Sequence, residues 1–264
     1  LLQSKLRQEL DSIKKREFKK DNKNLIPFGF KVFSQTDEDG IINEIFNRIG
    51  TTNKQFLEFG ANTRFNNTTY LLMKGWKGVW LESLEKKVNN IKKKYSLLIK
   101  NGKLKIYKKT ITASNVNKEI KSLNLNKFID LLSLDIDGNE LYVLNKLKTI
   151  SPRVIVVEYN AKFPPPVKIS IDQNFNRSWD NDDYYGSSLS YIVDEMEKKE
   201  YKLISTNISG SNAFFTTKEL HPLCITYNQS INDLYMPVNH NLYDYYVTDK
   251  PTNKFLKDIL KANL

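Results

Sequence analysis

Apolar residues along this chain form two kinds of pattern, short continuous runs and runs with helical spacing. The continuous runs predict buried strands, because strands covered on both faces read as near-continuous apolar segments. Strands are predicted at 56–59, 78–82, 129–137 and 153–159, with a half-exposed alternating strand at 104–109. Helical spacing falls between them, at 86–100, 114–121, 139–147 and 186–201. Strands that alternate with helices indicate an α/β fold with a mostly parallel sheet.

The chain closes this pattern with two strands that follow each other directly. Segments 201–205 and 212–217 are separated by Gly210 and predict a hairpin. A hairpin beside a parallel sheet places an antiparallel strand at its edge. We therefore predict a Rossmann-like α/β fold with a mostly parallel seven-stranded sheet, an antiparallel edge hairpin and helices on both faces.

The two ends of the chain differ from the middle. Residues 1–24 predict a basic amphipathic helix that either packs on the domain or pairs with a second copy in a homo-oligomer. A role at a membrane surface is the weaker alternative, because the apolar face is thin and lacks Trp. We expect residues 25–264 to form one domain, with an inserted lid at 160–185, a C-terminal extension at 218–264 and a closing helix near 253–260.

Composition limits the cellular setting more than the chemistry. The formal net charge is +11, with a pI of about 9.4. Anionic partners or an ordinary lysine-rich surface both fit this charge, since the lysines are spread along the chain. Cys224 is the only cysteine, which excludes an intrachain disulfide and favours a reducing compartment. With no apolar run long enough to span a membrane and no signal-peptide core, we expect a cytoplasmic protein.

The segment FLEFGAN (56–62) predicts a cofactor crevice. A strand that ends on Glu58 runs into Gly60, and Glu82 closes the next strand 22 residues after Gly60. This is about the 20-residue offset at which an acid meets the ribose of a bound nucleoside. The phosphate-binding pattern G-x-G-x-x-G is absent, so a nucleoside without a pyrophosphate, S-adenosylmethionine, is the expected cofactor. The predicted cofactor-binding residues are Glu58, Gly60, Ala61, Asn62, Glu82, Ser83 and Asp135.

A second group of polar residues follows the two central strands. Asp135 and Asp137 come after the run at 129–134, and Glu158 and Asn160 end the next strand. The carboxyl ends of parallel strands share one edge, so these side chains should converge beside the transferred group. Asp135 and Asp137 are the candidate catalytic bases, and Asp135, Glu158 and Asn160 are the candidate Mg²⁺ ligands. The alternative is that Asp135 or Asp137 only caps the helix that begins near Asn139.

Six segments together resemble the FkbM-type methyltransferases, a branch of the class I S-adenosylmethionine-dependent family. They are SQTDEDGIINEIF, FLEFGAN, LSLDIDGNELYVL, VIVVEYN, YYGSSLSYIVDEMEKKEYKLI and GSNAFF, within residues 33–217. The resemblance implies the class I fold and methyl transfer to an oxygen, commonly on a sugar or natural-product scaffold. The expected acceptor is a small molecule or a glycan, either neutral or anionic, such as a capsule or lipopolysaccharide precursor.

The metal set also resembles that of metal-dependent O-methyltransferases, which place an acid after the fourth strand and an acid–amide pair after the fifth. Here Tyr159 separates Glu158 from Asn160, which departs from that arrangement.

Three rival hypotheses remain. A nicotinamide-dependent oxidoreductase is disfavoured by the missing glycines of its fingerprint. An inactive binding module on the same fold is disfavoured by the presence of Glu58, Gly60 and Glu82. A nucleic-acid methyltransferase is prompted by the positive charge, but LDIDG stands where a base-stacking motif would be expected, so nucleic acid is not the expected partner.

Overall fold

The computed structural model describes residues 2–173, 184–226 and 229–247, and these contain one seven-stranded sheet. The strands are β1 (Gln55–Phe59), β2 (Lys77–Glu82), β3 (Leu104–Lys108), β4 (Phe128–Leu134), β5 (Ser151–Glu158), β6 (Tyr201–Thr206) and β7 (Asn212–Thr217). Their order in the sheet is β3-β2-β1-β4-β5-β7-β6. Strands β1 to β5 pair in parallel, and β7 runs antiparallel to both of its neighbours.

The order of the strands reverses direction between β1 and β4. From β1 the chain moves outward through β2 to β3 and then returns to β4 on the other side of β1. Parallel crossovers are right-handed, so this reversal places the helices of the two halves on opposite faces of the sheet. Ligands of such sheets bind beyond the carboxyl ends of the strands at the reversal point. The predicted Rossmann-like α/β fold, a mostly parallel seven-stranded sheet with an antiparallel hairpin at one edge, is confirmed.

Helices surround the sheet. In the described residues they are α1 (Leu2–Lys20), α2 (Glu38–Ile49), α3 (Thr69–Met73), α4 (Glu85–Lys94), α5 (Ser96–Lys100), α6 (Val116–Lys121), α7 (Glu140–Lys146), α8 (Leu189–Glu197), α9 (His221–Cys224), α10 (Ile231–Leu234) and α11 (His240–Val247). The single helix predicted at 86–100 is wrong in one respect, because Tyr95 leaves helical geometry and divides it into α4 and α5. The Tyr95 ring instead packs edge-on against Trp80, with ring centroids 4.9 Å apart.

Strand β4 is shorter than the predicted strand 129–137. It ends at Leu134, and the next residues form a loop. The backbone amides of Ile136 and Gly138 donate to the carboxylate of Glu140, at 2.8 and 2.9 Å, rather than to a neighbouring strand. The side chain of the following helix therefore ends the strand and gives the 135–138 loop its shape.

The N-terminal helix packs on the domain. Leu10 and Ile13 of α1 lie against a small core formed by Ile26, Ile208, Met236, Leu242 and Tyr246. Of the two arrangements predicted for this helix, packing is present, while pairing with a second copy stays a prediction. No helix in the described part of the chain is long and apolar enough to cross a membrane.

The described residues include parts of the predicted C-terminal extension and of the predicted insertion. The extension predicted at 218–264 contains the short helices α9, α10 and α11. The closing helix predicted near 253–260 lies outside the described residues. In the insertion, Ser170 forms a bridge with Ser187, and residues 174–183 lie outside the described part.

Gly60 brings the backbones of β1 and β4 together just beyond their last residues. Its φ is +77°, and a Cβ placed there would lie 1.6 Å from the carbonyl oxygen of Asp135. Gly75 has a similar φ of +81° but has nothing within 4 Å of the corresponding position. Both glycines therefore have a strained backbone conformation for any other residue, but only Gly60 is also sterically crowded.

We expect Gly60→Ala to destabilise the protein far more than Gly75→Ala. Both variants carry the strain of a positive φ, about 1–2 kcal/mol, but only the first forces the β1 and β4 backbones apart. Chemical denaturation of both variants measures the difference. Equal losses of stability would show that the contact at Gly60 is relieved without cost.

Candidate functional site

The turn after β1 is closed by its own hydrogen bonds. The amides of Gly60 and Ala61 both donate to the Leu81 carbonyl oxygen, at 3.0 and 3.1 Å. The Asn62 amide donates to Asn66 Oδ1 at 2.6 Å, and Asn66 Nδ2 donates back to the Asn62 carbonyl at 2.8 Å. These amides are therefore committed within the protein and are not arranged to hold the phosphates of a dinucleotide.

Glu58 holds the loop that follows this turn. Its carboxylate accepts hydrogen bonds from the Asn67 amide at 2.8 Å and from the Thr68 hydroxyl, and Trp80 Nε1 donates to the same hydroxyl at 2.7 Å. Asn67 Nδ2 reaches Ser133 on β4 at 3.1 Å. Glu58 is predicted to bind the cofactor, and this stays a prediction. In the structure its carboxylate positions the loop at Asn67 and Thr68.

Glu82 lies at the end of β2 beside the turn. Its Oε1 accepts from the Leu84 amide at 2.7 Å and from Ser83 Oγ at 3.3 Å. Lys87 Nζ lies 3.8 Å from Oε2, too far for a hydrogen bond. The carboxylate is therefore oriented through Oε1, while Oε2 faces the ammonium group of Lys87. The cofactor-binding role of Glu82 stays a prediction.

Three acids meet at the ends of β4 and β5. One carboxylate oxygen from each of Asp135, Glu140 and Glu158 lies within 4.8 Å of the other two. Asp135 and Glu158 are partly exposed, whereas Glu140 is buried. None of the ion pairs within residues 2–173, 184–226 and 229–247 involves these acids. The structure thus brings Asp135 and Glu158 together as predicted and adds Glu140.

Glu140 is a member of the cluster that was not predicted from the sequence. Glu140 is only 1% exposed, and it shares a helical stripe with the buried residues Val143, Leu144 and Leu147. An acid on the apolar stripe of a helix is rarely buried without a partner. That placement was the signal in the sequence that could have identified it.

Burial and mutual repulsion act on the acid cluster together. Burial, and then the nearby carboxylates of Asp137 and Glu140, raise the pKa of Asp135 to about 8. Burial and then Asp135 raise the pKa of Glu158 well above its usual value. The pKa of Glu140 is raised as well, mainly by burial and against the effect of its backbone hydrogen bonds. Adjacent carboxylates of this kind share protons or take up a cation.

The other two predicted residues lie at the rim of the cluster. Asp137 is exposed, has a φ of +61° and stands close enough to raise the pKa of Asp135. Asn160 is buried and bonds within its own loop, with Nδ2 donating to the Tyr185 carbonyl at 2.9 Å and Oδ1 accepting from the Lys162 amide at 3.1 Å. Its metal-ligand role stays a prediction, and its visible task is to shape the loop after β5.

The segment SQTDEDG (34–40) borders the same edge of the sheet. Glu38 Oε1 accepts from Thr36 Oγ1, Asn207 Nδ2 and Asn212 Nδ2 at 2.9–3.0 Å. Asn212 pairs with Glu158 in the register of β5 and β7. The segment therefore joins the start of α2 to the terminal hairpin, next to the acid cluster.

The C-terminal extension also reaches this edge. Gln35 Nε2 donates to the Tyr243 hydroxyl of α11 at 2.5 Å. Burial raises the pKa of Tyr243, and the carboxylates of Glu158, Glu38 and Asp135 contribute to this rise. Helix α11, which has no counterpart in the sequence resemblance, thus lies near the side of the crevice that carries the acids.

Known proteins resemble this chain in fold only. No family model and no curated protein sequence matches it. Solved structures include magnesium protoporphyrin IX methyltransferase from Synechocystis PCC 6803 with bound SAH, at 10% identity over 69% of this chain and 82% of that one, with a TM-score of 0.48. A putative caffeoyl-CoA O-methyltransferase from Staphylococcus aureus is 12% identical over 68% of this chain and 82% of that one, with a TM-score of 0.45. An S-adenosylmethionine-dependent methyltransferase from Clostridium acetobutylicum is 10% identical over 67% of this chain and 89% of that one, with a TM-score of 0.40. At these values, cofactor and acceptor have to be inferred from the site itself.

Three further buried acids near the crevice keep their protons to a higher pH than exposed acids do. Burial, with Glu38 nearby, raises the pKa of Asp37 to about 7, and burial raises the pKa of Asp39 to about 6 and that of Glu58 to about 7. The unfolded chain releases these protons near pH 4. Unfolding above pH 4 therefore releases protons, so stability falls as the pH rises toward 7.

We expect the protein to unfold at a lower temperature at pH 8 than at pH 5.5. Each of these acids should contribute on the order of 1–2 kcal/mol to the difference. Thermal unfolding of the wild type and Glu58→Gln at both pH values measures it, and the variant should show the smaller difference. Glu85→Gln, at an exposed position, is the control and should behave like the wild type. A wild-type stability that rises from pH 5.5 to pH 8 would contradict the assignment.

Proposed function

We propose that this protein is an S-adenosylmethionine-dependent methyltransferase that methylates a hydroxyl oxygen of a sugar or surface-glycan precursor. The observation that carries the proposal is the crevice at the strand reversal, with Gly60 against Asp135 and the carboxylate of Glu82 at the end of β2. The committed amides of the β1 turn favour a nucleoside without a pyrophosphate over a nicotinamide dinucleotide.

The residues divide between the two ligands. Glu82, through Oε2, accepts from the ribose hydroxyls, and Ser83 stands next to it. Glu58 keeps the loop containing Gly60, Ala61 and Asn62 in place for the amino-acid end of the cofactor. Asp135 lies between this cofactor side and the acids of the acceptor side.

S-adenosylmethionine supplies an electrophilic methyl group on a sulfonium. The acceptor oxygen attacks this carbon in line with the breaking C–S bond, whose electron pair stays on sulfur, and the hydroxyl proton passes to a carboxylate. Asp137 is the proposed base, because it is exposed at the crevice and lies near the acid cluster. Positioning and proton removal are the contributions that such an in-line transfer asks of the protein.

A hydroxylated acceptor suits this edge of the sheet. Carboxylates are hydrogen-bond acceptors, which match the hydroxyl donors of a sugar. Tyr185, whose pKa is raised by burial and then by Glu158, lies beside the acids and offers an aromatic face.

We expect Glu82→Ala to weaken S-adenosylmethionine binding by about 10-fold or more, since it removes the charged acceptor for the ribose hydroxyls. Isothermal titration with S-adenosylmethionine and its demethylated product measures the change. Glu85→Ala, an exposed acid three residues away that pairs with Lys108 at 3.2 Å, is the matched control and should bind like the wild type. No binding of either compound to the wild type would refute the proposed function.

We expect Asp137→Asn to slow methyl transfer by about 10²-fold or more, the usual scale for loss of a general base. Asn tolerates the positive φ at this position, so the backbone should not change. The rate is measured as demethylated cofactor formed with a panel of nucleotide-linked sugars at saturating S-adenosylmethionine. Cofactor affinity should stay within a few-fold of the wild type. Lost affinity with an intact rate would instead place Asp137 in the cofactor site.

A further inference from the structure

We propose that Asp135, Glu140 and Glu158 bind one hard divalent cation at the carboxyl ends of β4 and β5. The observation that points to a ligand is Glu140 Oε2, which is buried and has no hydrogen-bond partner in the described structure. Glu140 itself is 1% exposed, so water does not solvate this oxygen freely. A buried polar atom without a partner is uncommon and calls for an explanation such as an ion.

The carboxylate of Glu140 is held in one orientation. Its Oε1 accepts from the amides of Ile136 and Gly138 at 2.8 and 2.9 Å, which fixes the plane of the group at the first position of α7. These two bonds leave Oε2 as the oxygen available to Asp135 and Glu158. Metal-binding carboxylates are typically oriented by hydrogen bonds of this kind to the atom that is not a ligand.

The spacing of the three acids fits a shared ion. Oxygen ligands lie about 2.3–2.6 Å from Ca²⁺ and about 2.0–2.1 Å from Mg²⁺, so two ligands of one ion are separated by at most about 5 Å and 4 Å respectively. The three oxygens lie within 4.8 Å of one another. Oxygens this close to one another can be ligands of one Ca²⁺, whereas Mg²⁺ requires each pair to lie within about 4 Å.

The donor set and the exposure define the class of ion. All three ligands are carboxylate oxygens, which suit Mg²⁺, Mn²⁺ or Ca²⁺, whereas Zn²⁺ sites are usually built with His and Cys. Glu140 forms the buried floor, and Asp135 and Glu158 are partly exposed. The open side leaves coordination positions for water or for an oxygen of a second ligand.

This site differs from the one predicted from sequence in a single ligand. Asn160 was the expected third ligand, but its amide bonds the backbone of its own loop at Tyr185 and Lys162. Glu140 supplies a charged oxygen from the neighbouring helix instead. Asn160 belongs only to the ligand set predicted from the sequence, and Glu140 belongs only to the set that the structure brings together. Asn160→Ala is therefore the variant that separates the two ligand sets.

The cation also changes which acceptors the crevice can accept. Without it, the carboxylates of Asp135, Glu158 and the nearby Asp137 would repel a phosphorylated or carboxylated sugar. With it, an acceptor hydroxyl or phosphate oxygen can complete the coordination beside the methyl group. This role for the cation rests on the proposed function, whereas the binding of the cation does not.

The test is direct binding of Mn²⁺ to the chelator-stripped full chain without S-adenosylmethionine. Loss of the free Mn²⁺ signal in electron paramagnetic resonance measures it, with Mg²⁺ and Ca²⁺ as competitors. We expect one site per chain. Glu140→Gln should weaken binding by about 10-fold or more, while Asn160→Ala and the exposed control Glu85→Gln should bind like the wild type. Glu140→Gln keeps the side-chain shape and one oxygen for the 136 and 138 amides.

Each outcome decides the matter. Absence of Mn²⁺ binding, or equal binding by the wild type and Glu140→Gln, would overturn the proposal, and loss through Asn160→Ala alone would restore the other ligand set. If near-ultraviolet circular dichroism shows that Glu140→Gln is misfolded, Glu158→Gln replaces it, because Glu158 lies at the partly exposed side of the cluster. S-adenosylmethionine binding in excess chelator is measured separately, so failure of the cation site leaves the proposed function standing, and the reverse also holds.

Discussion

The crevice depends on how closely two backbones approach just beyond the ends of β1 and β4. Gly60 makes this possible, because any side chain there would meet the carbonyl oxygen of Asp135. With its carbonyl against Gly60, Asp135 presents its carboxylate to Glu140 and Glu158. This one close contact therefore places the turn after β1 on one side of the strand reversal and the acid cluster on the other.

The buried and partly buried acids at the two ends of the sheet fall into two groups that differ in their partners. Asp130, at the opposite end of the sheet, accepts from the amides of residues 52–54 and pairs with Arg153 at 3.0 Å. Glu58 is likewise surrounded by donors. Such acids hold loops in place. Asp135, Glu158 and one oxygen of Glu140 form no ion pair in the described chain. Clustered carboxylates without a cationic partner cost folding free energy, which indicates that the cluster serves to bind a ligand.

The strands of the sheet could be predicted from the sequence because each strand is marked by a short run of neighbouring residues. Apolar runs that end on acids mark strands and the edge where they finish, and they located Glu58, Glu82, Asp135 and Glu158. What could not be predicted depends on how a loop folds back. Glu140 caps the amides of the 135–138 loop, and this depends on geometry that spacing alone does not contain. The contact between Gln35 and Tyr243 joins positions 208 residues apart and leaves no pattern in either segment.

The net positive charge of the protein attracts an anionic acceptor at long range, whereas the acid cluster repels it at short range. A net charge of +11 attracts anions toward the protein and raises their local concentration. This attraction is screened over about 10 Å in physiological salt, so it does not govern the final contact. At contact, the proposed acceptor meets the acids at the ends of β4 and β5. An anionic acceptor can be drawn in by the surface and accepted at the site only if positive charge stands between these acids and the acceptor. The surface charge and the acid cluster are therefore compatible with one anionic substrate when a cation occupies the cluster, and with a neutral sugar when it does not.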